Sequence, residues 1–130
     1  MNRILIALGV IILAVGSIFY LTGGNITSKD LYKVSYSQIQ ENIDSGSPLI
    51  DVRTPEEYAD SHAVGAINLP VEQIETGETP NVAKDRIVYL YCHSGRRAGE
   101  AKTILEKAGF THVISITSLD NWISLGGKAT

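Results

Sequence analysis

The sequence has one cysteine in 130 residues, Cys92. An internal disulfide is therefore excluded, and in an oxidising compartment the thiol stays free or pairs with another molecule. Positive charge is also in short supply. Residues 25–130 hold all 14 acidic residues and 10 of the 11 basic ones, a net charge of about −4. Such a balance suits a phosphate backbone poorly, so nucleic acid is not an expected partner. The cysteine and the three scattered histidines, His62, His93 and His112, lack metal-ligand spacing, and no zinc site is expected. There is no internal repeat.

Charge and proline are missing altogether from Ile4 to Leu21, ILIALGVIILAVGSIFYL. As a helix this run is roughly 27 Å long, close to the bilayer's hydrocarbon core of about 30 Å. A soluble domain of this size rarely encloses a helix apolar on every side. The run is longer than a signal-peptide core, and its best cleavage point, Thr22-Gly23-Gly24, is weak. We therefore expect an uncleaved signal anchor, or transmembrane helix, over 1–24 that inserts in the membrane through residues 4–21, with cleavage and secretion as the alternative. Arg3 and the terminal amine favour a cytoplasmic N-terminus, although Lys29 and Lys33 at the far end oppose it. The rest of the chain is then exported to the periplasmic or extracellular side. Residues 25–34 form a polar linker.

Beyond the linker, short helical and strand-like stretches alternate. Ser37-Gln38-Ile39-Gln40 fits a capping box for a helix running toward Asp44, with Gly46-Ser47-Pro48 as its stop. Residues 48–52 and 66–70 read as short extended pieces. Between them Thr54-Pro55-Glu56-Glu57 opens a brief helix, with an N-cap threonine, proline at the first helical position and acids at the positive end of the dipole. Thr76 to Asp85 is loop-like. Residues 86–91, apolar almost throughout, read as a central parallel strand. Ala98, Ala101, Ile104, Leu105 and Ala108 then share one face of a helix that Gly109 ends. A strand over 112–116 and an amphipathic stretch around Leu119, Trp122 and Ile123 follow, with Trp122 assigned to the core. The pattern predicts a compact α/β fold with a mostly parallel sheet.

Cys92 ends the central strand, and a helix starts within a few residues. In parallel sheets ligands collect at that edge. The amides of His93, Ser94, Gly95, Arg96 and Arg97 are then free donors at a helix N-terminus, aimed at an anion. Dipole and guanidinium charge both favour the thiolate. The competing reading is a small core hydrophobe, for which two adjacent arginines are poor neighbours.

LIDVRTPEEYADSHAVGAINLP at 49–70 and YCHSGRRAGEAKTILEKAGF at 91–110 resemble the two signature regions of rhodanese domains, and LDNWISLGG near the end is a weaker match. The resemblance implies a compact three-layer, rhodanese-like domain over 35–127 that acts as a sulfurtransferase without a metal or organic cofactor. Cys92 is the implied nucleophile and persulfide carrier. The loop amides hold the sulfur's charge, and Arg97, with Arg96 beside it, orients a thiosulfate-like anion; a thiophile such as cyanide or a thiol is the acceptor. Related phosphatases have one more residue between cysteine and arginine, so phosphatase chemistry is not expected here. Asp51 and Arg53 are implied to be architectural, with Arg53 paired to Glu57. His62 packs or hydrogen-bonds, His93 points outward, and Thr117-Ser118 departs from the Gly-Gly common in the family. A persulfide carrier or thiol sensor that does not turn over is the alternative to an enzyme.

Overall fold

The computed structural model describes residues 35–130. The expected anchor (1–24) and the expected linker (25–34) lie outside them. Among the described residues, no helix is long and apolar enough to cross a membrane.

The chain runs through α1 (Tyr36–Asp44), β1 (Leu49–Asp51), α2 (Pro55–Asp60), β2 (Ile67–Asn68), α3 (Val71–Glu75), β3 (Val88–Cys92), α4 (Arg96–Lys107), β4 (Val113–Ser118) and α5 (Leu119–Leu125). The four strands form one sheet in the order β2-β1-β3-β4, every neighbouring pair parallel. Strand order reverses direction between β1 and β3, and in parallel sheets the ligand crevice forms at the carboxyl ends of the strands flanking such a point.

Every residue of β3 is buried because both faces of the sheet are covered. On one face Val88, Leu90 and Cys92 pack with Ile50 and Val52 against α3 and α4, through Val71, Ile74, Ala98, Ala101 and Leu105. On the other, Leu49, Tyr89, Tyr91 and Ile116 meet Ile39 of α1 and Trp122 of α5. The alternation of side chains along each strand thus builds two cores and a three-layer domain. Both central tyrosines satisfy their polar ends: Asn42 Nδ2 donates to Tyr89 OH at 2.6 Å, and Ala63 N donates to Tyr91 OH at 3.0 Å. Trp122 is buried as expected, and its indole N–H donates to the Lys128 carbonyl at 3.0 Å. Gly127 lies flat on that indole; a β-carbon there would stand 2.1 Å from Trp122 Cε2.

Four boundaries differ from expectation. α1 is capped by Ser35, whose Oγ accepts the Gln38 amide at 3.3 Å, and not by Ser37. Both hydroxyls precede the same apolar pattern, and this cap turns Ile39 into the core. The clear strand begins at Val88, two residues after Arg86, whose guanidinium instead donates to the Ser45 carbonyl at 3.0 Å. β4 extends two residues past Ile116, to Ser118, through a bulge: Leu90 pairs with Ser115 but Tyr91 with Thr117. The short helix α3 follows Pro70, with Val71 and Ile74 one turn apart on the core, a stretch too brief to show a helical period.

Candidate active site

The carboxyl edge of the sheet collects the chemistry. At the end of β3, residues 93–95 bend and α4 begins at Arg96. Gly95 caps this 12-residue helix with φ of 97°, a left-handed conformation that costs glycine nothing. Its amide donates to Cys92 Sγ at 3.0 Å. The Cys92 thiol in turn donates to the carbonyl of Thr117 at 3.6 Å. Cys92 has no exposed surface, and its carbon shares the apolar face of Val88 and Leu90. Burial alone matches a core cysteine. The amide aimed at its sulfur at a helix N-terminus does not, since core packing requires no such donor.

The six residues from Cys92 to Arg97 that the sequence singles out form this continuous loop and helix start. His93 and Ser94 are exposed, Gly95 is half-buried, and Cys92 lies beneath them. Arg96 projects into solvent with its side chain 76 % exposed, 3.4 Å from Glu100 one turn along α4. Arg97 is held far more firmly. Its Nη1 and Nη2 donate to Glu57 Oε1 and Oε2 at 2.6 and 3.0 Å, a bidentate pair with the arginine side chain 18 % exposed.

Glu57 does double duty. It is the third residue of α2, where its carboxylate and the hydroxyl of the expected N-cap, Thr54, form a capping box. The Arg97 hydrogen bonds pull its pKa down to about 2, the Thr54 amide and the Arg53 charge adding to the effect. Its charged form therefore stabilises the fold fully above about pH 4.5, and that stabilisation is lost as pH falls toward about 2. A Glu57→Gln variant is expected to lose less stability than wild type across that window in acid-unfolding titrations. A carboxylate about one-third exposed is screened by solvent, so the difference is a flattening of the curve, not a collapse.

This pairing corrects an expectation. Arg53 does not pair with Glu57; it pairs with Asp51. The Asp51 carboxylate, fully buried at the end of β1, receives the Arg53 amide at 2.9 Å and the guanidinium Nε and Nη2 at 3.0 and 2.6 Å. Arg53 Nη2 also donates to the Ser61 carbonyl at 2.6 Å, and its guanidinium lies 5.7 Å from the Tyr91 ring centre. The Asp51 hydrogen bonds hold Arg53 firmly protonated, whereas burial pushes the Tyr91 hydroxyl well above the usual range. Asn68 Nδ2 ties both carbonyls of this turn, Asp51 and Arg53, at 3.0 and 2.9 Å. The unit is architectural, as expected, and it fixes the β1 wall of the crevice.

His62 stacks on Tyr58, with ring centres 3.8 Å apart, and its Nδ1 lies 2.7 Å from the Tyr58 carbonyl, a packing role away from the sulfur. His112 is exposed at the opposite end of the sheet. Two neighbours of the site escaped the sequence. Glu57 lies 40 positions before Arg97, and no local pattern links them. Thr117 was legible only as a departure from Gly-Gly, not as a residue beside Cys92.

The model of the rhodanese-like domain matches residues 35–124. Over 65 residues, 49 % of this chain, the sequence is 46 % identical to the thiosulfate sulfurtransferase PspE of Escherichia coli. Over 103 residues, 75 % of this chain, it is 32 % identical to the putative sulfur carrier protein YrkF of Bacillus subtilis. These matches span 62 % and 55 % of the two relatives' own lengths. A solved structure of a rhodanese with anions from E. coli superposes with a TM-score of 0.57 at 36 % identity, covering 65 % of this chain and 98 % of that one. With a family match across nearly all the described residues, a shared parallel sheet and a cysteine loop at its carboxyl edge, the chain belongs to the family of rhodanese-like domains.

Proposed function

We propose that the chain is a sulfurtransferase that carries a sulfane sulfur as a persulfide on Cys92. The Cys92 thiolate attacks the outer sulfur of thiosulfate. A new S–S bond forms as the old one breaks, and sulfite leaves with the electron pair. Cyanide or a thiolate then attacks the outer sulfur of the persulfide and returns the thiolate to the enzyme, a ping-pong cycle that needs no external oxidant or reductant. The observation that carries this reading is the Gly95 amide on the Cys92 sulfur at 3.0 Å. A donor in that position stabilises negative charge on sulfur in both halves of the cycle.

Arg96 and Arg97 are the residues for the anionic end of the donor. Arg96, exposed and only loosely paired, is the freer of the two. Arg97 is already bound to Glu57, so its part is to fix the loop and lend a neutralised, oriented fork to the mouth of the site. His93 and Ser94 line the exposed rim and contact the acceptor.

Incubation of the purified chain with thiosulfate and cyanide tests the reading. Thiocyanate release with saturating kinetics, together with a mass increase of one sulfur atom on Cys92 when cyanide is omitted, supports it. A second reading, a carrier loaded by another protein, is favoured by the engagement of Arg97 with Glu57 and by the likeness to YrkF. A stable persulfide with no thiocyanate release would select it. We further propose that residues 4–21 anchor the chain in a membrane with the domain exported. Alkaline carbonate extraction and protease accessibility of intact cells test that; release into the soluble fraction would overturn it.

A further inference from the structure

We infer that Thr117 is a positioning residue for the Cys92 cradle, its strained backbone and γ-methyl group together fixing the amide that faces the sulfur. The proposal rests on the sulfur-transfer reading only for its kinetic arm. Thr117 has a φ of +79°, the only non-glycine among the described residues in the left-handed region. For a β-branched side chain this is a true outlier, and such strain persists only where the surroundings over-determine it.

The surroundings do so here. Thr117 follows the bulge at Ile116, and its amide donates to Ser115 Oγ at 3.1 Å. The carbonyl of Ile116 accepts from Asn121 Nδ2 at 2.6 Å, and Ser118 caps α5 through the Asn121 amide at 3.0 Å. Held from both sides, the Thr117 peptide turns its carbonyl to within 3.6 Å of Cys92 Sγ.

The side chain completes the arrangement. A β-carbon on Gly95 would stand 2.8 Å from Thr117 Cγ2, 3.7 Å from its Cβ and 3.8 Å from its Cα. The methyl therefore backs directly onto Gly95, the residue whose amide meets the sulfur at 3.0 Å. Thr117 thus touches the loop from outside and the sulfur from beside it. Being itself exposed, it forms the lip over a cysteine that has no exposed surface. Strain stored in this way has a recognisable cost and purpose: relaxing it favours stability and loosens the site.

The test compares Thr117→Gly, Thr117→Ser and Thr117→Val in the purified full chain. Glycine relieves the backbone strain and removes the methyl; serine removes the methyl but keeps the strain; valine keeps both methyl and strain. Three quantities are measured: the rate at which iodoacetamide alkylates Cys92, kcat and KM for transfer from thiosulfate to cyanide, and the thermal midpoint. Thr117→Gly is expected to raise the alkylation rate about tenfold and lower kcat about tenfold, with no fall in the midpoint. Thr117→Ser moves both rates in the same directions by about threefold, and Thr117→Val stays within twofold of wild type. An alkylation rate for Thr117→Gly within twofold of wild type, or a valine variant that behaves like glycine, overturns the proposal. If the wild-type chain transfers no sulfur from thiosulfate, that outcome counts against the activity alone, and the alkylation series still decides the role of Thr117.

Discussion

Cys92→Ser is expected to reduce thiocyanate formation to the uncatalysed background, a loss on the order of 10⁴-fold or more. A serine hydroxyl is not ionised near neutral pH and cannot hold a sulfane sulfur as a persulfide, so both halves of the cycle fail together. The residual rate separates this reading from one in which the loop merely binds donor and acceptor side by side, because a binding site keeps part of its proximity effect when the nucleophile is gone. The fold should survive the change. Gly95 N–H and the Thr117 carbonyl offer the hydroxyl a donor and an acceptor at the place where the sulfur now sits. A stability change of about 1 kcal/mol or less is therefore expected in urea titration. A variant that keeps a measurable fraction of turnover, with its fold intact, would remove Cys92 from the centre of the mechanism.

Asp51→Ala carries the largest expected cost in stability, about 3–5 kcal/mol. The carboxylate has no exposed surface, and the guanidinium of Arg53 beside it is 8 % exposed. Removing the acid leaves a buried cation with the Ser61 carbonyl and the Tyr91 ring as its remaining partners. The backbone amide of Arg53 also loses its acceptor. For a domain of this size the thermal midpoint should fall by more than about 10 °C. The control is the double variant Asp51→Leu/Arg53→Met, in which the pair is replaced by apolar groups and much of the loss is recovered. If Asp51→Ala proves as stable as wild type, the pair is an accessory to the β1 wall and not its fastening.

Features that declare themselves over a few residues were readable in the sequence. Thr54-Pro55-Glu56-Glu57 specifies a helix start in four letters, and α2 begins where they place it. The apolar run before Cys92 could only be a strand covered on both faces, and β3 is buried throughout. Gly109, with φ of 101°, stops α4 where the apolar face ends. Choices between near-equivalent local options were not readable: Ser35 and Ser37 are both competent caps, and only the burial of Ile39 selects between them. Nor were pairings that depend on which strands become neighbours. Asp51 and Glu57 are two acids with two arginines to share, and the sequence offers no rule for the match. Once β1 and β3 lie side by side, Arg53 folds back on its own strand and Arg97 reaches across the crevice to α2.

β3 is paired on one edge with β1, roughly forty residues earlier, and on the other with β4, more than twenty residues later. Neither partnership can be made by a local hairpin, so loop-closure entropy is met before the central strand returns any stability. The sulfur is therefore expected to enter its cradle late in refolding, as the last sheet contacts close. Its disappearance from reaction with a thiol reagent would time the completion of the whole domain from a single atom.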